Sequence, residues 1–253
     1  MKIAKNVDDW EWIVFDIDGV LIDVSSSYDL AVLKTTQIFL RRLDIGYDVT
    51  LELICDFRRK GMFGDDYRVT EGLILAGFDD DPVKYVNKFP AGNGIASIRK
   101  RFDSPINTRE LVEKFDQLYL GCGPHESVHH KGLWQRESPL IDVALLKCLG
   151  DFFQIGFITG RSKREAQLAE RILSFRLNNV ITRDDAPLKP NPQSLVELVG
   201  GEAGVYVGDT INDRLLVENY NKEGHYFDFV RVSSVTNSTS NFVKEVLHLA
   251  VAE

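Results

Sequence analysis

Two carboxylates and a glycine stand together at Asp16-Ile17-Asp18-Gly19, directly after the apolar run Ile13-Val14-Phe15. In an extended segment residues i and i+2 face the same way, so Asp16 and Asp18 can serve one site, the first as a nucleophile and the second as a proton carrier. Gly19 then permits a sharp exit of the backbone. A solvated turn after a strand is the plainer account of such a string, and it would suffice if nothing else matched. Three further groups match. Thr159-Gly160-Arg161 follows Ile155-Gly156-Phe157-Ile158 and offers a hydroxyl, a flexible backbone and N–H groups at a helix start, which together suit a phosphoryl oxygen. In isolation the same turn reads equally well as a helix cap. Lys189 lies in Leu188-Lys189-Pro190-Asn191-Pro192, where the prolines hold the backbone out of a helix and direct the side chain. By itself it is an exposed loop lysine. Gly208-Asp209-Thr210-Ile211-Asn212-Asp213 follows Val205-Tyr206-Val207 and sets one carboxylate at a strand end and another on the first helical turn, from where both can converge on a hard cation. Helix capping explains one of these aspartates better than it explains both.

The residue types close a chemical account. A phosphate ester repels a carboxylate nucleophile, so attack by Asp16 requires Mg²⁺ and fixed cations that neutralise both partners and stabilise the charge on the transferring phosphoryl oxygens.

The elements that must position these groups are strands alternating with helices. The runs 13–15, 155–158, 180–181, 205–207 and 227–232 are short, apolar and rich in β-branched residues, as expected of a parallel sheet buried on both faces. Ser162 and Glu165 have capping-box spacing ahead of Leu168, Ile172 and Phe175, while Ser138-Pro139 and Asn191-Pro192 place proline where a first helical turn tolerates it. The expectation is an α/β fold: a doubly wound, parallel-sheet Rossmann-like core carrying an inserted, mainly helical domain. After Asp23 the pattern turns helical, with Tyr28, Val32, Phe39 and Leu43 on one face, so residues 24–138 are expected to form the insertion and residues 1–23 with 139–253 the core. Gly/Pro punctuation at 89–94 and 121–124 breaks the insertion into helical pieces.

Composition narrows the partners. The 253 residues, 44% hydrophobic and 27% charged, are enough for one large domain or two small ones. A net charge of −8 argues against a nucleic-acid surface, which needs clustered Lys and Arg, and an anionic substrate must find a local positive site. Cys55, Cys122 and Cys148 lack metal-ligand spacing and are expected to be reduced packing residues. No stretch is apolar for the length of a membrane span, and residues 1–12 hold no apolar leader region, which predicts a cytoplasmic protein that binds no membrane. Without a secretion signal, the Asn237-Ser238-Thr239 sequon reads as a polar loop. Arg58-Arg59-Lys60, Arg68 and Arg99-Lys100-Arg101 are candidate cations for a second anionic group, although such runs are more often solvated helix faces. His125, His129 and His130 read as a hinge or surface group rather than a metal site, and Arg161 reads equally as a neighbour of the site or a surface residue. Nothing in the residues selects an oligomeric state.

With these residues in this order, the chain resembles the haloacid dehalogenase (HAD) superfamily, specifically its members with a helical cap between the first and second motifs. Asp16-Ile17-Asp18-Gly19 resembles the first motif, Thr159 the second, Lys189 the third and 208–213 the fourth. The resemblance implies a phosphatase acting on a small phosphorylated metabolite, with Asp16 as nucleophile and Asp18 as general acid/base. It implies Mg²⁺ held by Asp16, the Asp18 backbone carbonyl and Asp209, with Asp213 orienting the metal directly or through water. Thr159, Gly160 and Lys189 would hold the phosphate. An acid at Asp18 matches the phosphotransfer branch rather than the dehalogenases, because a leaving alkoxide needs a proton. Two other readings stay open: a phosphosugar mutase using the same aspartyl-phosphate, and a non-catalytic regulatory protein on this fold.

Overall fold

The five apolar runs form the five strands of one parallel sheet in a computed structural model of the chain, which describes residues 7–103, 105–121, 131–233 and 237–251. They are β1 (Trp12–Phe15), β4 (Gln154–Ile158), β5 (Val180–Ile181), β6 (Gly204–Gly208) and β7 (Phe227–Arg231), laid out in the order β5-β4-β1-β6-β7. The central strand pairs on both sides, Ile13 opposite Ile155 on one and opposite Val205 on the other. Strands so placed are covered on both faces, which is why Ile13, Val14 and Phe15 are apolar without alternation and fully buried. Helices α7 (Val143–Leu149), α8 (Lys163–Leu173), α9 (Gln193–Val199), α10 (Ile211–Lys222) and α11 (Ser238–Val251) belong to the same unit. On one face Trp12, Val14 and Tyr206 pack with Leu195 and Val199 of α9 and Leu216, Val217 and Tyr220 of α10. Each apolar side chain buried there is worth about 1.5–3 kcal/mol.

Because all five strands run the same way, their carboxyl ends share one edge. The order reverses about β1, whose neighbours β4 and β6 come from distant parts of the chain, and a crevice at such a reversal is where an open α/β sheet binds ligands.

The chain folds as two compact units, Met1–Asp23 with Ser138–Glu253, and Val24–Glu137. The second is helical: α1 (Tyr28–Arg42), α2 (Leu51–Lys60), α3 (Asp66–Ala76), α4 (Pro82–Asn87), α5 (Ile95–Arg101) and α6 (Thr108–Leu120). It has its own core, in which Val32 and Phe39 meet Leu73, Ile74, Leu111 and Phe115. Thr50, Asp65, Asp81 and Asn107 cap four of these helices by accepting backbone N–H groups of the first turn. The two crossings between the units are side by side, since β2 (Ile22–Asp23) pairs antiparallel with β3 (Ser138–Pro139). Inside the helical unit, Glu137 Oε1 accepts from Ser27 Oγ at 2.7 Å and from Tyr119 OH at 2.9 Å, binding the incoming and outgoing chain together.

Several expectations need correction. Ser138-Pro139 is a strand rather than a helix start; proline at the end of a two-residue ladder leaves no donor unpaired, and α7 begins at Val143 behind the cap Asp142. Asn237-Ser238-Thr239 is the start of α11 rather than a loop, with Thr239 buried and its hydroxyl donating to Val20 O. Cys55 and Cys148 are exposed thiols, not packing residues. On α2 the buried stripe is Leu53, Ile54 and Phe57, and Cys55 falls off it. Cys122, His125, His129 and His130 lie outside the described residues. Among the described residues no helix is long and apolar enough to cross a membrane.

Candidate active site

The carboxyl end of β1 delivers Asp16 into a buried position, with the β6 turn on one side and the Lys189 loop close by. Lys189 Nζ lies 3.0 Å from Asp16 Oδ1 and donates to Asp213 Oδ1 at 2.6 Å, and its side chain is only 13% exposed. The loop lysine is therefore an interior cation bridging two carboxylates. Asp213 itself is fully buried in the first turn of α10. Its second oxygen accepts from the Thr210 backbone N–H at 2.9 Å and from the Thr210 hydroxyl, a capping box in which the aspartate closes the turn. The cap and the lysine contact thus meet in one side chain, one Asp213 oxygen serving each.

Asp209 is different. Its Oδ1 is buried with no hydrogen-bond partner. One carboxylate oxygen each from Asp16, Asp209 and Asp213 can lie within 4.8 Å of one another. A buried acceptor left unpaired among like charges costs free energy, and a hard divalent cation with oxygen ligands is the group that would relieve it. The donor set fits Mg²⁺ on that ground. Gly19 serves this arrangement: its φ is +77°, and a Cβ there would stand 2.4 Å from Asp209 Oδ2. Gly208 serves it too, since a Cβ there would meet the Asp213 Cβ at 2.4 Å.

The charges act on one another. Burial pushes the Asp16 carboxyl well above the usual carboxylate range, with Lys189 opposing and Asp213, Asp209 and Asp18 adding to the rise. Burial, reinforced by Asp213, takes Asp209 up to about 7. Burial alone would raise Asp213 as well, but the Lys189 ammonium and the Thr210 donors hold it below the ordinary value. Burial disfavours charge on Lys189, yet Asp16 and Asp213 keep its pKa well above normal. Lys189 and Asp213 thus each favour the other's charged form, beside two carboxyls whose ionisation burial disfavours.

Asp18 takes another direction. Arg161 Nε donates to Asp18 Oδ1 at 2.8 Å and Nη2 lies 2.6 Å from the same oxygen, so the side chains of Asp16 and Asp18 have different cationic partners. The Asp18 side chain is not among the three converging carboxylates. Thr159 is buried at the end of β4, and its Oγ1 accepts from the Arg161 N–H at 3.1 Å. Gly160 is exposed, and a Cβ there would meet no heavy atom within 4 Å. Thr159, Gly160 and Lys189 line one small cavity together with Thr182, Arg183 and Ser194.

Two site contacts escape the reading of residue types. Tyr206 lies inside the apolar strand β6, and its hydroxyl is 3.3 Å from both Lys189 Nζ and Asp213 Oδ1. A phenol within an otherwise aliphatic run was the available signal. Arg161 is the second; nothing in Thr159-Gly160-Arg161 distinguishes a buried guanidinium from a surface one.

The cationic runs of the helical unit are mostly committed elsewhere. Arg58 pairs with Asp29 and Asp66, Arg59 with Asp56, Arg68 with Asp65, Arg99 with the buried Glu71, and Arg101 with Asp79. Lys60 donates to Asn87 O. These ties brace the helices of their own unit.

No family model matches the chain. A solved structure, Phosphatase Tt82 from Thermococcus thioreducens, is 42% identical, with 94% of this chain and 99% of that one covered and a TM-score of 0.81. A predicted phosphoglycolate phosphatase from Haemophilus somnus shares the fold at 13% identity, with a TM-score of 0.54 over 94% of this chain and 98% of its own. Among curated proteins, imidazoleglycerol-phosphate dehydratase from Phytophthora nicotianae is 27% identical in a 213-residue alignment that covers 79% of this chain, and the chain spans 39% of that protein's length.

Proposed function

The chain belongs to the haloacid dehalogenase-like phosphatases, and we propose that it hydrolyses a small phosphate monoester with Mg²⁺ by way of an aspartyl-phosphate on Asp16. The observation that carries this reading is the pairing of a buried, lysine-bound Asp16 with an unpartnered buried oxygen of Asp209.

In this reading Asp16 and Asp209 would hold the cation with the Asp18 backbone carbonyl, and Asp213, whose oxygens already carry Lys189 and Thr210, would orient the site directly or through water. A cation held there would supply positive charge that favours the ionised forms of Asp16 and Asp209 and offsets the charge of the phosphoryl group. Asp16 attacks phosphorus; the new carboxylate O–P bond forms as the ester P–O bond breaks, and Asp18 gives the leaving oxygen its proton. Asp18, now a carboxylate, takes a proton from the water that attacks the aspartyl-phosphate, releasing phosphate and restoring Asp16. The Thr159 hydroxyl, the Gly160 N–H and the Lys189 ammonium hold the equatorial oxygens, where charge accumulates. The open space at Gly160 supports a close approach by phosphate. We assign Val24–Glu137 the role of cap, admitting substrate and excluding bulk water.

The test is phosphate release from a panel of sugar, amino-alcohol and imidazoleglycerol phosphates, with wild type and Asp16→Asn in Mg²⁺ or in excess chelator. Release should require Mg²⁺, return when it is restored, and vanish in Asp16→Asn. Equal release in chelator would overturn the metal assignment, and isomerisation of a sugar phosphate without phosphate release would make the enzyme a mutase.

A further inference from the structure

We propose that Arg161 is a positioning residue that fixes the Asp18 carboxylate for proton transfer, an inference that rests on the acid/base reading of Asp18. The Arg161 side chain has no solvent exposure, while Asp18 keeps 28%. Taking a guanidinium out of water costs several kcal/mol, and an apolar side chain of similar volume would often fill such a place at no loss of stability. The ionic group here is turned on the acid: Nε and Nη2 both reach Asp18 Oδ1, at 2.8 and 2.6 Å. Nη1 is directed to the Glu165 carbonyl at 3.4 Å, inside the first turn of α8. Glu165 is in turn locked by the Ser162 capping box.

The same residue holds the opposite wall. Its backbone N–H donates to Thr159 Oγ1 at 3.1 Å, so one arginine sets the rotamer of a phosphate-binding hydroxyl on β4 and of the carboxylate beyond β1. The N-terminus of α8, stiffened by its capping box, is therefore the reference frame for both. A misplacement of the order of 1 Å costs about 10²-fold in rate, and this anchorage prevents it for Asp18.

A double-mutant cycle measures the role. Asp18→Asn should lower kcat at least roughly 10²-fold. Arg161→Met should lower kcat about 10- to 100-fold while KM and the Mg²⁺ half-saturation stay within about threefold. Because Arg161 acts through Asp18, adding Arg161→Met to Asp18→Asn should cost less than about threefold more. Arg161→Lys retains the charge without the fork and should recover part of the lost kcat; if Arg161→Met does not fold, Arg161→Lys takes its place in the cycle. A slow Asp18→Asn combined with wild-type kcat in the folded Arg161 variant, or with full multiplication of the two losses, overturns the positioning role alone. A wild-type kcat in Asp18→Asn overturns the acid/base reading and the inference with it.

Discussion

Asp209 is the residue at which the site's charge balance is most exposed to measurement. Its carboxyl is raised from 3.8 to about 7 by burial and by Asp213. A folded pKa above the unfolded value means that the native state binds the proton more tightly. The resulting stability is complete below about pH 3.8 and is lost as pH rises through about 7. In chelator the wild type should therefore melt lower at pH 8 than at pH 5 through this group, and Asp209→Asn should melt no lower than wild type at pH 8. Mg²⁺ should stabilise the wild type and barely move Asp209→Asn, with affinity rising as pH climbs through about 7 and Asp209 sheds its proton. Calorimetry with and without chelator checks all three. A lower Tm for Asp209→Asn in chelator at pH 8, or an undiminished Mg²⁺ shift, would contradict the assignment.

At the scale of elements, the turn after β1 and the turn after β6 are fitted to each other at Gly19. Gly19→Ala adds a Cβ 2.4 Å from Asp209 Oδ2 and strains a φ of +77°. It should weaken Mg²⁺ binding at least about 10-fold, the scale of loss seen when a ligand's support is disturbed, and destabilise by about 1–2 kcal/mol. Mg²⁺ titration of the folded variant decides it, and an unchanged Kd would count against Asp209 as a ligand. These turns were legible in the sequence because apolar runs buried on two faces announce β1, β4 and β6, and the polar residues after them must then share an edge. The Ser162–Glu165 capping box was legible for a similar reason, being a local pattern with one physical use. Ser138-Pro139 was not, since proline suits a helix start and a strand end equally, and only the pairing of Ile22 with Pro139 decides between them. The destination of Arg161 depends on what the fold brings to it from 143 residues away, which no local pattern encodes.

At the scale of the molecule, the candidate site and the helical core belong to different units. Asp16, Asp18, Thr159, Lys189, Asp209 and Asp213 all belong to the sheet-bearing unit, whereas Val24–Glu137 has its own apolar core and its own ion pairs. A ligand stabilises what it binds, by about 2.7 kcal/mol at 100 times its Kd. Under hydrogen exchange, saturating Mg²⁺ should slow the amides of β1, β4 and β6 by that amount and leave α1, α3 and α6 nearly unchanged. Equal protection in both units would mean that they open as one. Under the proposed function, the net charge of −8 would leave phosphate to be received by Lys189 and the cation rather than by the protein's overall field.

The central claim is that Asp16 is covalently phosphorylated, and the stereochemical course at phosphorus tests it most directly. A phosphorothioate ester made chiral with ¹⁸O, hydrolysed in ¹⁷O-water, yields chiral thiophosphate whose configuration can be read. Attack by Asp16 followed by attack of water gives two in-line displacements, and net retention is the predicted result. Net inversion, the signature of a single displacement by water, would contradict the account.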